Sequence, residues 1–159
     1  MTRSSRKIIL RPATMADAAK MAPHLRPADQ LELAALSNRS HETTLRLSVA
    51  VSDDPLSAVT ADSGELVAML GVGRPGLLST TGIPWMLGTP TLEKLGRQIM
   101  ELSAEKVGAW RREYPLLVNH VYAEHQHSIR WLKWLGFTLH PAAPYGPFGN
   151  PFHKFEMRS

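Results

Sequence analysis

The sequence predicts a single α+β domain, with a mixed central sheet of about six to seven strands and helices on both faces. Three observations lead there. A chain of 159 residues falls within the ~100–200 residues of one domain and can bury a core without a metal or disulfide. β-rich runs alternate with helical periodicity in the order strand, two or three helices, three strands, helix, strand, helix, two strands. No linker, internal repeat or low-complexity tract divides residues 1–159.

Lys7–Leu10 is a short β-rich run closed by Arg11-Pro12. Thr14 is placed to cap the next helix, with Asp17 at the third helical position as in a capping box, and Ala18, Met21, Ala22 and Leu25 share one face. Pro27 restarts the chain into a second helix containing Leu31, Leu33 and Leu36. Ser40–Ser52 is ambiguous: Leu45, Leu47, Val49 and Val51 alternate like a strand, while length and composition allow a helix, which the topology favours. Asp53-Asp54-Pro55 reads as a turn. Ser57–Ala61 and Glu65–Gly73 form a hairpin around Asp62-Ser63-Gly64, the second strand apolar enough to be central.

After a loop over Arg74–Gly82, Ile83–Gly88 is a strand. The longest helix is expected to start with Thr89 as cap and Pro90 as first residue, its stripe running Leu92, Leu95, Ile99, Leu102, Val107 and Trp110. Leu116–Tyr122 is a strand and Ser128–Leu135 a helix stopped by Gly136. Phe137–Leu139 and Phe152–Met157 are strands, separated by a stiff loop over Pro141–Pro151.

Composition narrows the chemistry. The absence of Cys excludes thiol nucleophiles, disulfides and Cys-bound zinc or iron–sulfur clusters. A net charge of +4 is too small and scattered to argue for nucleic-acid binding; Arg3, Arg6 and Lys7, and the pair Arg111 and Arg112, read as solvated surface. No run is long and apolar enough for a membrane span, and the N-terminus lacks the apolar region of a secretory signal. His120, His125 and His127 lie close in sequence, but a metal needs converging side chains, so they read as surface or capping histidines and no metal is expected.

The Arg-Pro-Ala start and the segment VYAEHQHSIRWLKWLGF (Val121–Phe137) carry a resemblance. They resemble the Gcn5-related N-acetyltransferase (GNAT) fold, whose closing module reads Asn, two residues, Ala or Ser, a helix, then Gly-Phe. Ser128, Leu135, Gly136 and Phe137 match that spacing, and His125 stands in the place of Asn. PWMLGTP (Pro84–Pro90), SIRWLKWLGF (Ser128–Phe137) and GPFG (Gly146–Gly149) further resemble a GNAT-like family of T7-type podoviruses, the gene-thirteen internal virion or virion-assembly proteins. That resemblance implies a bacteriophage product made in the bacterial host cytoplasm and carried in the virion or used in its assembly. Its partners would be portal, tail or internal core proteins, or further copies of itself.

Acetyl transfer on a GNAT scaffold uses a glycine-rich turn ahead of the long helix to hold the pyrophosphate of acetyl-CoA, and often a Tyr acid in the last helix. Here the turn has one Gly and a Pro, and the Tyr position is Leu132. If acetyl-CoA binds, Met86, Leu87, Gly88, Thr89 and Thr91 are the residues to hold it, but no cofactor is expected. Tyr122, Glu124 and Tyr145 are weak catalytic candidates, and Glu65, Glu124 or His120 could serve as base. Arg130, Trp131, Trp134, Tyr145 and Phe148 are candidates for a protein interface. The expected function is therefore a virion-associated or assembly protein on a GNAT-like fold without efficient acetyl transfer; the alternative is a CoA-dependent N-acetyltransferase acting on a host or phage amine.

Overall fold

A computed structural model describes residues 6–159; Arg3 of the basic N-terminal group lies outside the described residues. Eight strands form one sheet: β1 (Ile8–Pro12), β2 (Ser52–Thr60), β3 (Leu66–Gly73), β4 (Thr81–Gly88), β5 (Leu116–Tyr122), β6 (Thr138–Leu139), β7 (Ala143–Tyr145) and β8 (Asn150–Arg158). The order across the sheet is β1-β2-β3-β4-β5-β8-β6, with β7 also paired to β8. The helices are α1 (Met15–Met21), α2 (Pro27–Leu36), α3 (His41–Val51), α4 (Thr91–Lys94), α5 (Gly96–Glu113) and α6 (Gln126–Leu135). One core cluster joins α1, α2 and α3 to the sheet through Met21, Leu33, Leu45 and Met69. On the opposite face, Ile99, Val107, Ile129 and Phe155 belong to clusters that seat α5 and α6.

The ambiguous segment is a helix. Ser40 accepts from Thr43 N–H as its cap, and Leu45 and Val49, four residues apart, enter the core while Leu47 and Val51 are exposed. A strand would have turned all four the same way. Asp53-Asp54-Pro55 is not a connection but an irregularity inside β2, with Asp54 at φ 44°. The stiff loop also holds order: Ala143–Tyr145 pairs with β8 as a hairpin, adding one strand to the expected sheet.

The long helix begins later than its pattern suggests. Thr89 does not cap it; its hydroxyl bonds to the carbonyls of Leu66 and Val67 in β3. Pro90 leads into the single turn of α4, Leu95 leaves helical geometry (φ −112°, ψ 26°), and α5 starts at Gly96. Gly96 lies close to Trp131 of α6, whose ring would be in ordinary contact, 3.6 Å, with an added Cβ.

The capping box at α1 is present, and it is tied to the sheet. Asp17 accepts from Thr14 N–H, from both terminal nitrogens of Arg11 at 2.6 and 2.9 Å, and from the Ser57 hydroxyl. The Arg11 guanidinium, with help from Ser57 and Thr14, holds the Asp17 carboxyl down at about 2. Because the folded value lies below the unfolded one, this stabilisation is complete above pH ~4 and disappears as pH falls toward 2. Asp17→Asn should therefore lose about 2 kcal/mol at pH 7 and almost nothing further near pH 2. Urea melts of both proteins at the two pH values would decide it; parallel losses at both would refute the charge-based account.

Candidate functional site

The parallel pair β4–β5 is joined only at Thr81–Leu116 and Gly82–Leu117. Close approach there depends on Gly82, where a Cβ would come within 2.7 Å of Val72 and 2.9 Å of the Tyr114 ring. Beyond it the strands part, and Pro84 is the reason the ladder stops: it has no N–H to donate. Asn119 of β5 fills the gap, its side-chain amide donating to Pro84 O at 2.8 Å and its oxygen accepting from His120 N–H.

The parted strands frame a cavity of about 250 Å³ that passes through the sheet. Glu32, Leu33 and Leu36 of α2 and Thr44 and Ser48 of α3 line it on one face; Ser103, Val107 and Trp110 of α5 and Trp131, Leu132 and Leu135 of α6 line it on the other. Met86 and Leu87 form its β4 wall, and Asn119 and His120 its β5 wall.

In an extended strand, alternate residues turn both backbone polar groups to the same edge. Pro84 O faces Asn119, and Gly88 N–H faces the Asp29 carboxylate while Gly88 O accepts from Arg26 N–H. Met86, midway between, turns its N–H and C=O to the same edge, toward the parting. It is the one β4 residue between Pro84 and Gly88 that offers a donor and an acceptor there. An extended amide-bearing chain such as pantetheine fits such an edge. Further out, the Gly88 backbone and the Thr89 and Thr91 hydroxyls have partners within the protein. The Gly88 groups are taken by α2, the Thr89 hydroxyl by β3, and the Thr91 hydroxyl by Glu65 at 2.7 Å.

Glu32 is the feature that sequence reasoning missed. It sits one turn after Asp29 on α2 and lines the cavity, and its Oε2 accepts from Tyr122 N–H at 2.8 Å. Burial pushes its carboxyl above the usual range, and the Tyr122 N–H offsets this only in part. His120, on the β5 wall, is lowered by burial and by Lys154, so it stands neutral near pH 7. Tyr145 stacks on the His120 ring at 3.7 Å. The other candidates lie elsewhere: the Tyr122 hydroxyl donates to Glu124 at 2.7 Å in an exposed pair, and Glu65 binds Arg6 and Thr91. None of Tyr122, Glu124, Tyr145 or Glu65 lines the cavity. Leu132 does, so the position of the usual Tyr acid faces the cavity as a hydrocarbon.

A buried polar cluster closes the wide end of the parting. The Asp29 carboxylate accepts from Gly88 N–H at 2.9 Å, from Arg26 at 2.8 and 3.2 Å, and from His125 Nε2 at 2.8 Å. His125 caps α6 as the usual Asn would, its Nδ1 accepting from Ser128 N–H at 3.4 Å, which leaves the proton on Nε2. Ser128, His125 and Asp29 do not make a nucleophilic triad. Ser128 Oγ and Asp29 both meet the same ring nitrogen, so the imidazole cannot take a proton on one edge while leaning on the carboxylate with the other.

Trp131 belongs to the interior, not to an interface. It is 9% exposed, with the Arg26 guanidinium 5.8 Å from its ring and the His127 ring tilted against it at 4.6 Å. Arg130, Trp134, Tyr145 and Phe148 are exposed.

No protein-family model and no curated protein matches the chain. Solved structures do. A candidate acetyltransferase from Acinetobacter baylyi superposes with a TM-score of 0.74 at 16% identity, covering 98% of this chain and 94% of its own. A second, from Salmonella typhimurium with its cofactor acetyl-CoA, gives 0.68 at 17%, covering 95% and 93%. A ribosomal-protein-alanine N-acetyltransferase from Brucella melitensis gives 0.69 at 20%, covering 95% and 99%. The fold is that of the GNAT acetyltransferases. Nothing in these three matches bears on the resemblance to the podovirus family. Among the described residues no helix is long and apolar enough to cross a membrane.

Proposed function

We propose that the protein is a CoA-dependent N-acyltransferase in which Glu32 takes the proton of an amine acceptor. The observation that carries this reading is the through-sheet cavity itself, lined by the unpaired stretch of β4 at Met86 and by the half-buried Glu32 carboxylate. Acyl-CoA supplies an activated acyl group. The Met86 edge would hold its amide-bearing arm by the pairing that a neighbouring strand would otherwise make. Glu32, half-buried on the cavity wall with its carboxyl raised, accepts the proton that an amine must lose as it forms an amide. No Tyr acid is needed if the thiolate leaves unprotonated, since thiols are acidic enough to do so near neutral pH. The apolar lining excludes water that would compete with the amine.

The virion-assembly role has the exposed side chains of Trp134 and Phe148 behind it, and the cavity favours the enzyme. Thermal unfolding with and without acetyl-CoA tests the preference. At ~100 times its dissociation constant the ligand should add about 2.7 kcal/mol, a rise of roughly 5–10 °C for a domain of this size. No shift, with no thiol released in the presence of primary amines, would overturn the acyltransferase reading and return attention to Trp134 and Phe148.

A further inference from the structure

We infer that Ser128 donates the hydrogen bond that stabilises the sulfur as the acyl group leaves it; this rests on the acyltransferase reading. Ser128 stands in the first turn of α6, four residues before Leu132, and both line the cavity. It is the one hydroxyl that α6 brings to that wall. Its proton is unclaimed. The Ser48 and Ser52 hydroxyls donate to the carbonyls four residues back, those of Thr44 and Ser48. Ser128 makes no such bond among the described residues, and the polar side chains it meets are donors: Arg26 Nη2 at 3.4 Å and His125 Nε2 at 3.1 Å. His125 Nδ1 accepts from Ser128 N–H, and Nε2 faces the Asp29 carboxylate at 2.8 Å. Nε2 therefore carries a hydrogen and has no lone pair for the hydroxyl. Ser128 Oγ accepts from Arg26 and is left with an O–H that no described group takes up.

The reaction leaves one developing charge for that donor. Glu32 on α2 takes the proton of the amine, and the Met86 edge on β4 pairs with the amide-bearing arm. The sulfur gathers the electron pair of the breaking bond, in a mostly apolar cavity where an unpartnered anion is costly. A hydroxyl that accepts from a guanidinium is a stronger donor than a free one, and the Arg26 beside Ser128 is 1% exposed. The other charged and titratable groups around it are Asp29 on α2, His125 and His127 at the start of α6 and, beyond Arg26, Glu93 of α4. The transfer balances without another reactant. The acyl carbon–nitrogen bond forms as the carbon–sulfur bond breaks, and the electron pair goes to sulfur. Glu32 takes the amine proton, and Ser128 keeps its own proton while sharing it with the thiolate.

Two variants test this. Ser128→Ala removes only the oxygen; the backbone N–H that His125 caps remains, and Ala is a strong helix former, so the fold should hold. Ser128→Thr keeps the hydroxyl. The first measurement is of binding, not turnover: the thiol of bound CoA is titrated by the ultraviolet absorbance of its thiolate. It should ionise about one pH unit higher in Ser128→Ala than in wild type, roughly a factor of ten in thiolate stabilisation, and Ser128→Thr should restore the wild-type value. The surrounding charges are common to all three proteins and cancel in the comparison. Turnover of acetyl-CoA with a primary amine should follow: kcat falls about tenfold in Ser128→Ala with KM for acetyl-CoA little changed, and recovers in Ser128→Thr. A bound thiol that titrates identically in wild type and Ser128→Ala would overturn the inference, whatever happens to kcat, and leave the acyltransferase reading intact. Failure of CoA and acetyl-CoA to bind the wild type would remove both.

Discussion

Asp29→Ala is expected to cost about 3–5 kcal/mol and to lower the melting temperature by ~10 °C or more. The carboxylate and the Arg26 guanidinium it faces are each 1% exposed. Removing Asp29 strands that guanidinium, whose remaining acidic neighbour, Glu93, is half exposed and 3.8 Å away. It also unpairs Gly88 N–H and leaves His125 Nε2 with only the Ser128 hydroxyl as an oxygen partner. The loss should be cooperative, because Asp29 joins α2, the end of β4 and the start of α6. Burial alone would push the Asp29 carboxyl up, but the bonds from His125, Arg26 and Gly88 outweigh it and hold it below the ordinary value. Its contribution is then whole above the unfolded value and fades as pH falls below about 4, so the gap between wild type and Asp29→Asn should narrow on acidification. Chemical denaturation from pH 7 to pH 3 reads both effects. A loss under ~1 kcal/mol at pH 7 would mean that Arg26 finds water or another partner, and that the cluster is not what braces the parted strands.

The legible parts of this fold are those fixed by local chemistry. The Thr14 capping box, the all-apolar run Leu66–Val72 and the Gly136 stop each depend on neighbours within a turn or a strand, and each stands where the sequence puts it. The start of the long helix was not legible. Leu92 and Leu95 keep helical spacing with Ile99, yet the break at Leu95 and the seat of Trp131 on Gly96 are tertiary arrangements that spacing does not encode. The same holds for the site. The one local mark of the parting is Pro84, inside the strand expected over Ile83–Gly88, and the sequence reading made nothing of it. Glu32 gave none: it is one carboxylate on an amphipathic helix until Tyr122, ninety residues later, presents its N–H to it. Arg26 and Asp29 likewise look like solvated charges at a helix start and become the most buried ionic pair described. Trp131 was misjudged because the inward face of α6 is wider than an i, i+3, i+4 stripe: Ile129 and Trp131 are both buried.

Glu32→Gln should abolish most turnover while leaving the fold in place. The amide keeps the size of the carboxylate and an oxygen able to accept Tyr122 N–H, so the cavity wall survives. What it loses is basicity. General-base catalysis contributes roughly 10²–10⁴-fold, and the drop should appear in kcat with KM for the acyl donor little changed, since Glu32 lies on α2 and the Met86 edge on β4. The pH profile separates a base from a mere neighbour. In the wild type, kcat/KM should rise with pH through a value above that of an ordinary Glu, because burial favours the protonated form. In Glu32→Gln that limb should vanish rather than shift. His120 is the rival: it lines the same cavity and is neutral near pH 7 by the lowering of its pKa. If His120→Gln erases the limb and Glu32→Gln keeps it, the proton goes to the imidazole, and Glu32 serves only to draw a cationic amine into the cavity.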